Sequence, residues 1–119
     1  MKRIQCGDKR WNTHAEVTPA VVQIACFRSG LSDKQVVGLY EERAPRYRAL
    51  KGLRQKYYLR YPETGEHGAV YVWESEADLK DFRESELGRS IASTYQVQGA
   101  SQVRLAEVVL VLRSEKGPA

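Results

Sequence analysis

The sequence predicts an α+β domain in which a four-stranded antiparallel sheet carries two helices on one face. Four segments are rich in β-forming residues, and two others show helical spacing behind a capping residue. Their order is β-α-β-β-α-β, which is the ferredoxin-like arrangement. A chain of 119 residues with 42% hydrophobic and 29% charged residues is sufficient for one such globular domain.

The first strand and the first helix are predicted between residues 20 and 50. Val21–Phe27 is a continuous apolar run, which is typical of a buried strand. Ser32 followed by Gln35 gives a capping-box pattern at the start of a helix. Pro45 removes one backbone donor, so we expect a kink or break near Arg43–Pro45. The residues at helical spacing are Val36, Leu39, Tyr40, Tyr47 and Leu50.

A hairpin is predicted next. Leu53–Tyr61 has a period close to two, and Pro62–Gly68 has turn composition. The third strand follows within the stretch His67–Glu76 and pairs with the second.

A second helix and a fourth strand complete the predicted domain, which spans residues 19–114. Ser75 caps the helix, with Asp78 three residues later, and Gly88 is expected to break it. Val103–Arg113 is the predicted fourth strand. Residues 1–18 are expected to be a polar N-terminal extension and residues 115–119 a tail. The helical stripe is predicted to include Leu79, Phe82, Leu87, Ile91 and Tyr95.

Side-chain alternation along the strands predicts which residues face away from the helices. In the second strand the set containing Leu53 and Tyr57 is the more apolar, so we expect it beneath the helices. In the third strand we expect Val70 and Val72 there, because small side chains suit that space. The opposite, open face would then carry Arg54, Lys56, Tyr58, Arg60, Ala69, Tyr71 and Trp73.

An open face with so much apolar surface predicts a cover. The fourth strand is apolar on both sides, and a large exposed apolar patch is unusual in a soluble monomer. We expect the cover to be a second copy of the sheet, giving a homodimer and a closed barrel.

The segment Gly52–Phe82 resembles the YdhR-like putative monooxygenases of the antibiotic-biosynthesis-monooxygenase type, within the dimeric α/β-barrel superfamily. The similar residues are Gly52-Leu53, Lys56 four residues after that glycine, Tyr58, the turn ending in Gly68, and the run from Tyr71 through Trp-Glu-Ser-Glu. The order of elements agrees over roughly residues 21–113.

The resemblance implies oxygenation of polycyclic phenols or anthrones without a metal or flavin. It also implies that Trp73 and Tyr58 line the substrate pocket. The family's pocket asparagine and tyrosine are replaced by Ala69 and Leu79, and Arg89 is a loose counterpart of its pocket arginine. The tryptophan and histidine of haem-degrading relatives are replaced by Phe82 and Ala92, so haem degradation is disfavoured.

The candidate catalytic residues are Lys56, Tyr58 and Trp73. Lys56 in an apolar barrel would stabilise a developing phenolate or, with a lowered pKa, act as a base. Tyr58, Tyr71 and Trp73 would hold a flat ring by stacking. Predicted substrate-binding residues at the pocket mouth are Arg28, Arg60 and His67. The expected partners are a small aromatic substrate and dioxygen.

Two alternatives remain open from the sequence. The first is a non-catalytic dimeric barrel that binds a small hydrophobic ligand. The second is an RNA-recognition module, since that fold has the same order of elements. The run His67–Glu74 matches its strand motif through Gly68, Tyr71 and Val72, but Ala69 and Glu74 replace two of the stacking aromatics. We therefore expect no nucleic-acid partner.

Composition excludes several other classes. Only two histidines occur, without clustered cysteines or carboxylates, so no metal site and no cofactor are expected. The net charge of +4 comes from interleaved charges and demands no anionic partner. Two cysteines, Cys6 and Cys26, do not make a disulfide framework. With no apolar run that could cross a membrane and no signal peptide, a cytoplasmic location is expected.

Overall fold

The computed structural model describes residues 19–113, which form the predicted ferredoxin-like α+β fold. The sheet is antiparallel throughout and has the order β2-β3-β1-β4, so β1 lies between β3 and β4. Helices pack on one of its faces. The elements are β1 (Val21–Ser29), α1 (Asp33–Arg48), β2 (Leu53–Tyr61), β3 (Glu66–Trp73), α2 (Glu76–Glu84), α3 (Glu86–Arg89), α4 (Ile91–Thr94) and β4 (Val97–Glu107).

Helix α1 begins at the predicted capping box and continues past its proline. The Ser32 hydroxyl accepts from the Gln35 backbone N–H at 3.2 Å, and the Gln35 side chain accepts from the Ser32 N–H at 2.9 Å. The predicted break near Arg43–Pro45 is wrong, since α1 extends to Arg48. Pro45 lies in the last turn, where the loss of one donor leaves few later bonds to disrupt.

Helix α2 ends three residues earlier than predicted. Ser75 caps it by accepting from the Asp78 N–H at 3.2 Å. Ser85 has an extended backbone that stops the helix, and its hydroxyl then accepts from the Gly88 N–H to begin α3. Gly88 therefore lies inside α3 instead of breaking α2. It permits close packing, because a Cβ there would lie 2.2 Å from the Phe82 carbonyl oxygen.

Strand β4 lies six residues earlier than predicted. It begins at Val97 and ends at Glu107, which is paired with Val21 at the start of β1. Strand β1 begins at Val21, and within residues 19–113 the pairing beyond Glu107 is limited to one bond from the Val108 N–H to the Ala20 carbonyl. The second half of the predicted strand, from Val108 onward, therefore lies outside the sheet. Four of its side chains are exposed: Val109, Leu110, Val111 and Leu112.

The predicted assignment of the sheet faces is wrong. The set containing Lys56, Tyr58, Tyr71 and Trp73 lies beneath the helices, where the Trp73 ring packs 5.2 Å from that of Phe82 in α2. Two physical reasons account for the inversion. A bulge between Leu53 and Gln55 changes the alternation of β2 at its start. Large aromatic rings also bury far more apolar area against the helices than valines would.

The other sheet face is apolar, and none of the helices between residues 19 and 113 covers it. Ile24 is 39% exposed and Tyr57 48% exposed. Val70 and Val72 share this face, because Val70 is the direct cross-strand partner of both Ile24 and Tyr57. Among residues 19–113, no helix has the length and hydropathy that crossing a membrane requires.

Candidate functional site

A cavity of about 320 Å³ lies between the helix-facing side of the sheet and the helices. This volume is at the small end of the range of about 300–1,000 Å³ for ligand pockets. We call it the inner cavity. Its wall is dominated by aromatic rings, namely those of Phe27, Tyr40, Tyr47, Tyr58, Tyr71, Phe82 and Tyr95.

Lys56 projects from β2 into a cage of three tyrosine rings at the cavity wall. Its Nζ lies 3.4 Å from the centroid of the Tyr47 ring and 4.4 Å from those of Tyr58 and Tyr71. These rings come from α1, β2 and β3, so the cage depends on the helix–sheet packing. A cation over ring faces is attracted by the ring quadrupole. Among residues 19–113, no carboxylate forms an ion pair with Lys56.

The pKa of the Lys56 amine lies close to neutral pH. Burial, assisted by repulsion from the nearby Arg43 guanidinium, lowers the pKa of Lys56 to about 7. Burial acts in this direction because the charged ammonium loses its hydration. Near pH 7 a large fraction of Lys56 is therefore the neutral amine, which can accept a proton.

The pKa values of the tyrosine hydroxyls shift in the opposite direction, upward. Burial raises the pKa of Tyr40 and that of Tyr58 to about 12. Burial also raises the pKa of Tyr71 well above its usual range, and a hydrogen bond with Tyr47 adds to that effect. These phenols stay protonated at neutral pH, so they can donate hydrogen bonds but cannot serve as bases. The Tyr40 hydroxyl is buried and has no hydrogen-bond partner in the described part of the chain, so it can donate to a ligand oxygen.

Trp73 lies behind the cavity wall and does not line it. Its side chain is fully buried, with its ring stacked on that of Tyr71 at 5.8 Å. The indole N–H donates to the Gln23 side-chain oxygen at 3.1 Å, and Gln23 does line the cavity. Because an indole N–H can only donate, this bond fixes which end of the amide Gln23 turns toward the indole. Trp73 is therefore connected to the cavity through the side chain of Gln23.

Arg43 joins α1 to the α3–α4 segment over the cavity. Its guanidinium donates to the Thr94 hydroxyl at 3.2 Å, to the Leu87 carbonyl at 3.3 Å and to the Ser90 hydroxyl at 3.0 Å. It also lies 5.8 Å from the centroid of the Tyr95 ring. Its Nε is buried and has no hydrogen-bond partner among residues 19–113.

Within residues 19–113, the charged residues that line the inner cavity are all cations, and no aspartate or glutamate is among them. Lys56 lies at its wall, and the exposed Arg83 and Arg89 lie on α2 and α3. The cavity therefore favours an aromatic ligand that carries negative charge.

The three residues predicted at the pocket mouth lie elsewhere. Arg28 and Arg60 have exposed side chains, paired with Glu66 at 3.9 Å and with Asp33 at 3.3 Å. His67 is buried in β3 rather than in a turn, with its Nε2 3.3 Å from the Asp33 carboxylate. None of the three lines the inner cavity.

A second, more polar cavity of about 410 Å³ lies between the edge strand β2 and the end of α1. We call it the outer groove. Tyr47, Lys56 and Tyr58 line both it and the inner cavity, so the lysine cage forms the partition between them. Arg48 and Arg54 line the groove on its outer side.

Sequence reasoning missed several residues of this site. Tyr40 and Tyr47 were assigned to the core stripe of the first helix, and Gln23 to a strand buried on both faces. The spacing of Tyr40 and Tyr47 could have shown that both reach the site, because residues seven apart lie on one helix face and point toward the same sheet face. Arg43 had no such signal, since its partners lie more than 40 residues away.

The comparisons with known proteins agree with this fold. No family model and no curated protein matches the sequence. Among solved structures, SnoaB, a cofactor-independent oxygenase from Streptomyces nogalater, is 12% identical; the match covers 82% of this chain and 100% of that one, with a TM-score of 0.66. A hydroxynitrile lyase from Passiflora edulis is 16% identical over 80% and 98% of the two chains, with a TM-score of 0.61.

A third similar structure is a dimeric ferredoxin-like protein from Thermobifida fusca. It is 11% identical over 76% of this chain and 92% of that one, with a TM-score of 0.62. These likenesses show that the chain has the fold of dimeric α/β-barrel proteins. The proteins that share it include an oxygenase and a lyase, so the fold alone does not determine the reaction.

Proposed function

We propose that this protein is a cofactor-independent monooxygenase that acts on a flat, electron-rich, acidic aromatic small molecule such as a quinol or an anthrone. The observation that carries the proposal is the Lys56 amine, caged by three tyrosine rings at the wall of an aromatic cavity. Both the likeness to SnoaB and the resemblance of Gly52–Phe82 to the YdhR-like monooxygenases support it.

The residues present suit each requirement of the chemistry. The neutral Lys56 amine removes a proton from the phenol or from the activated CH₂ group, and the ammonium then stabilises the resulting anion. The protonated hydroxyls of Tyr40 and Tyr58 donate to ligand oxygens, while the aromatic walls keep water from the reactive anion. The electron-rich anion passes an electron to dioxygen, and recombination gives a peroxide. Loss of water then leaves a carbonyl, so CH₂ and O₂ become C=O and H₂O.

Arg83 and Arg89 would select the acidic substituent of the substrate. Both are exposed cations at the inner cavity, and neither forms an ion pair within residues 19–113. They take the role that the sequence suggested for Arg28 and Arg60, whose charges are already paired.

The proposal includes a homodimer formed through the helix-free sheet face. That face exposes Ile24 and Tyr57, and the segment after β4 exposes Val109 to Leu112. Apolar surface of this kind is typical of an interface. A similar structure is itself a dimeric ferredoxin-like protein.

A non-catalytic barrel that only binds an aromatic ligand is the second candidate, because the same cavity would bind without turnover. The RNA-recognition alternative loses its basis, since Tyr71 and Trp73 lie beneath the helices and cannot stack on bases.

Oxygen consumption tests the proposal. We would follow dissolved oxygen with a panel of quinols and anthrones, with and without a carboxylate, at pH 7.5. We expect Lys56→Met to lose about a hundredfold or more in kcat, the usual contribution of a general base. Lys34→Met, at an exposed position of α1, is the matched control and should keep full activity.

Three results would decide between the candidates. Uptake that is equal in the wild type and in Lys56→Met overturns the role of the lysine. Tight binding of every panel member without any oxygen uptake favours the ligand-binding barrel. Uptake that depends on Lys56 and is faster for carboxylated substrates supports the monooxygenase.

A further inference from the structure

Lys56 combines accessibility with the absence of a charged partner. It lines the inner cavity and the outer groove, so its amine adjoins open space on two sides. No carboxylate pairs with it among residues 19–113. Its neighbours are ring faces, which hold the amine in place but do not consume its lone pair by hydrogen bonding. A lysine amine that is partly desolvated against aromatic rings is in the setting in which a lysine acts as a nucleophile.

We propose that Lys56 also captures aromatic aldehydes and ketones covalently, as imines within the inner cavity. The ligand class follows from the wall: rings at Tyr47, Tyr58 and Tyr71 stack on the aromatic part of the ligand, and the cations Arg83 and Arg89 favour an anionic substituent. This reactivity is separate from oxygenation, because it needs no dioxygen and no electron transfer.

The step is balanced without any further reactant. The Nζ lone pair attacks the carbonyl carbon, and the C=O electron pair moves to oxygen and takes up a proton. The resulting carbinolamine then loses its hydroxyl as water, with a proton supplied by a neighbouring phenol, and the iminium nitrogen returns its N–H proton to that phenolate. Amine and carbonyl thus give imine and water. Tyr58 and Tyr71 are placed to supply this proton, because their ring centroids lie 4.4 Å from the amine and their phenols are protonated at neutral pH.

The reverse step keeps the capture reversible. Water re-enters the cavity, adds to the imine carbon and releases the carbonyl compound and the free amine. The structure therefore supports a site that binds a carbonyl ligand tightly and releases it unchanged, or that holds it as an electron-poor imine for a later step.

Reductive trapping tests this inference. The full chain is incubated at pH 7 with 4-carboxybenzaldehyde and sodium cyanoborohydride, and the modified lysines are identified by peptide mass spectrometry. The chain supplies internal controls, since Lys34, Lys51 and Lys80 are exposed on the same molecule. A fully solvated lysine is neutral in only about one molecule in two thousand at pH 7. We expect Lys56 to be labelled at least about tenfold faster than any of the three.

Peptide mapping is required because a terminal α-amine, with a pKa of about 8, also reacts at this pH. Lys56→Arg keeps a cation but cannot form an imine, and Lys56→Met serves as a second variant if the arginine does not fold. In both variants the fast labelling at residue 56 should disappear, and the slow labelling of the exposed lysines should remain. Anionic 4-carboxybenzaldehyde should label faster than its methyl ester, and Arg83→Gln should reduce that preference.

Labelling of Lys56 no faster than that of the exposed lysines overturns the inference, as does a fast label that persists elsewhere in Lys56→Arg. The outcome is independent of the proposed monooxygenase activity. Trapping at Lys56 without oxygen uptake supports imine formation but not the monooxygenase. Oxygen uptake without trapping refutes imine formation and leaves the monooxygenase supported.

Discussion

Replacing Lys56 by methionine should change how the stability of the protein depends on pH. Methionine has a similar length and volume but no charge, so it removes the desolvated ammonium while keeping contact with the ring cage. The lowered pKa of Lys56, about 7 against an ordinary value of 10.5, means that the folded state resists protonation of this amine. The unfolded chain does not resist it.

The sign follows from proton binding in the two states. Between pH 7 and 10.5 the unfolded state binds more protons than the folded state, so the wild type gains stability as pH rises. The cost of burying the ammonium is complete below pH 7 and vanishes above pH 10.5. In full this cost corresponds to about 5 kcal/mol, since one pKa unit is worth about 1.36 kcal/mol.

The measurable part lies between pH 7 and pH 9. There the stability of the wild type relative to Lys56→Met should rise by about 2 kcal/mol. We would measure urea unfolding of both proteins at pH 6, 7, 8 and 9, at equal protein concentration, because association contributes to apparent stability. All titratable groups other than Lys56 occur in both proteins, so their contributions cancel in the difference.

A difference in unfolding free energy that stays constant from pH 6 to pH 9 would refute the reasoning. It would mean that Lys56 titrates outside this window, and both the base and the nucleophile assigned to it would lose their physical basis. Lys34→Met, at an exposed site of α1, is the control for the removal of a lysine charge as such.

Three further predictions follow from particular contacts. Gly88→Ala should cost about 1–3 kcal/mol of unfolding free energy, because the new Cβ would meet the Phe82 carbonyl, whereas Gly38→Ala in open space on α1 should stabilise by up to about 1 kcal/mol; thermal or urea unfolding measures both. Arg43→Met should destabilise by about 2 kcal/mol and raise the pKa of Lys56, seen as a shift of the trapping reaction to higher pH; an unshifted profile would show that Arg43 does not act on the lysine. Ile24→Lys should halve the mass measured by light scattering, whereas Val37→Lys, an equally exposed apolar site on α1, should leave it unchanged.

The elements of the fold were predictable because they depend on local signals. The capping box at Ser32 and the cap at Ser75 fixed the helix starts, and β2 was placed at its observed limits. The errors arose where long-range pairing decides. The start and end of β4 depend on which residues of β1 are available to pair. The apolar residues after Glu107 carry no information about that pairing. The sequence around a proline likewise does not show whether the helix ends before the proline or continues for one more turn.

The face assignment failed for a different physical reason. A strand with valines on one side and aromatics on the other offers two apolar faces, and alternation does not say which one the helices cover. The partner surfaces decide. Helix α1 presents Tyr47 and helix α2 presents Phe82, and rings of that size pack best against the rings of β3. The aromatic residues at helical spacing and those on one side of the third strand indicate together which sheet face the helices cover, because large rings pack best against other large rings.

The inversion left the composition of the site nearly intact, and this has a consequence for how the protein works. Alternation groups residues correctly even when the face is assigned wrongly, so Lys56, Tyr58 and Tyr71 share a face in either case. What changes is the surface that meets this set of residues, because helices of the same chain line the cavity. The Ile24→Lys monomer should therefore still trap a carbonyl compound at Lys56 at close to the wild-type rate. A monomer that folds, by circular dichroism, but loses the fast label would show that the partner subunit completes the cavity after all.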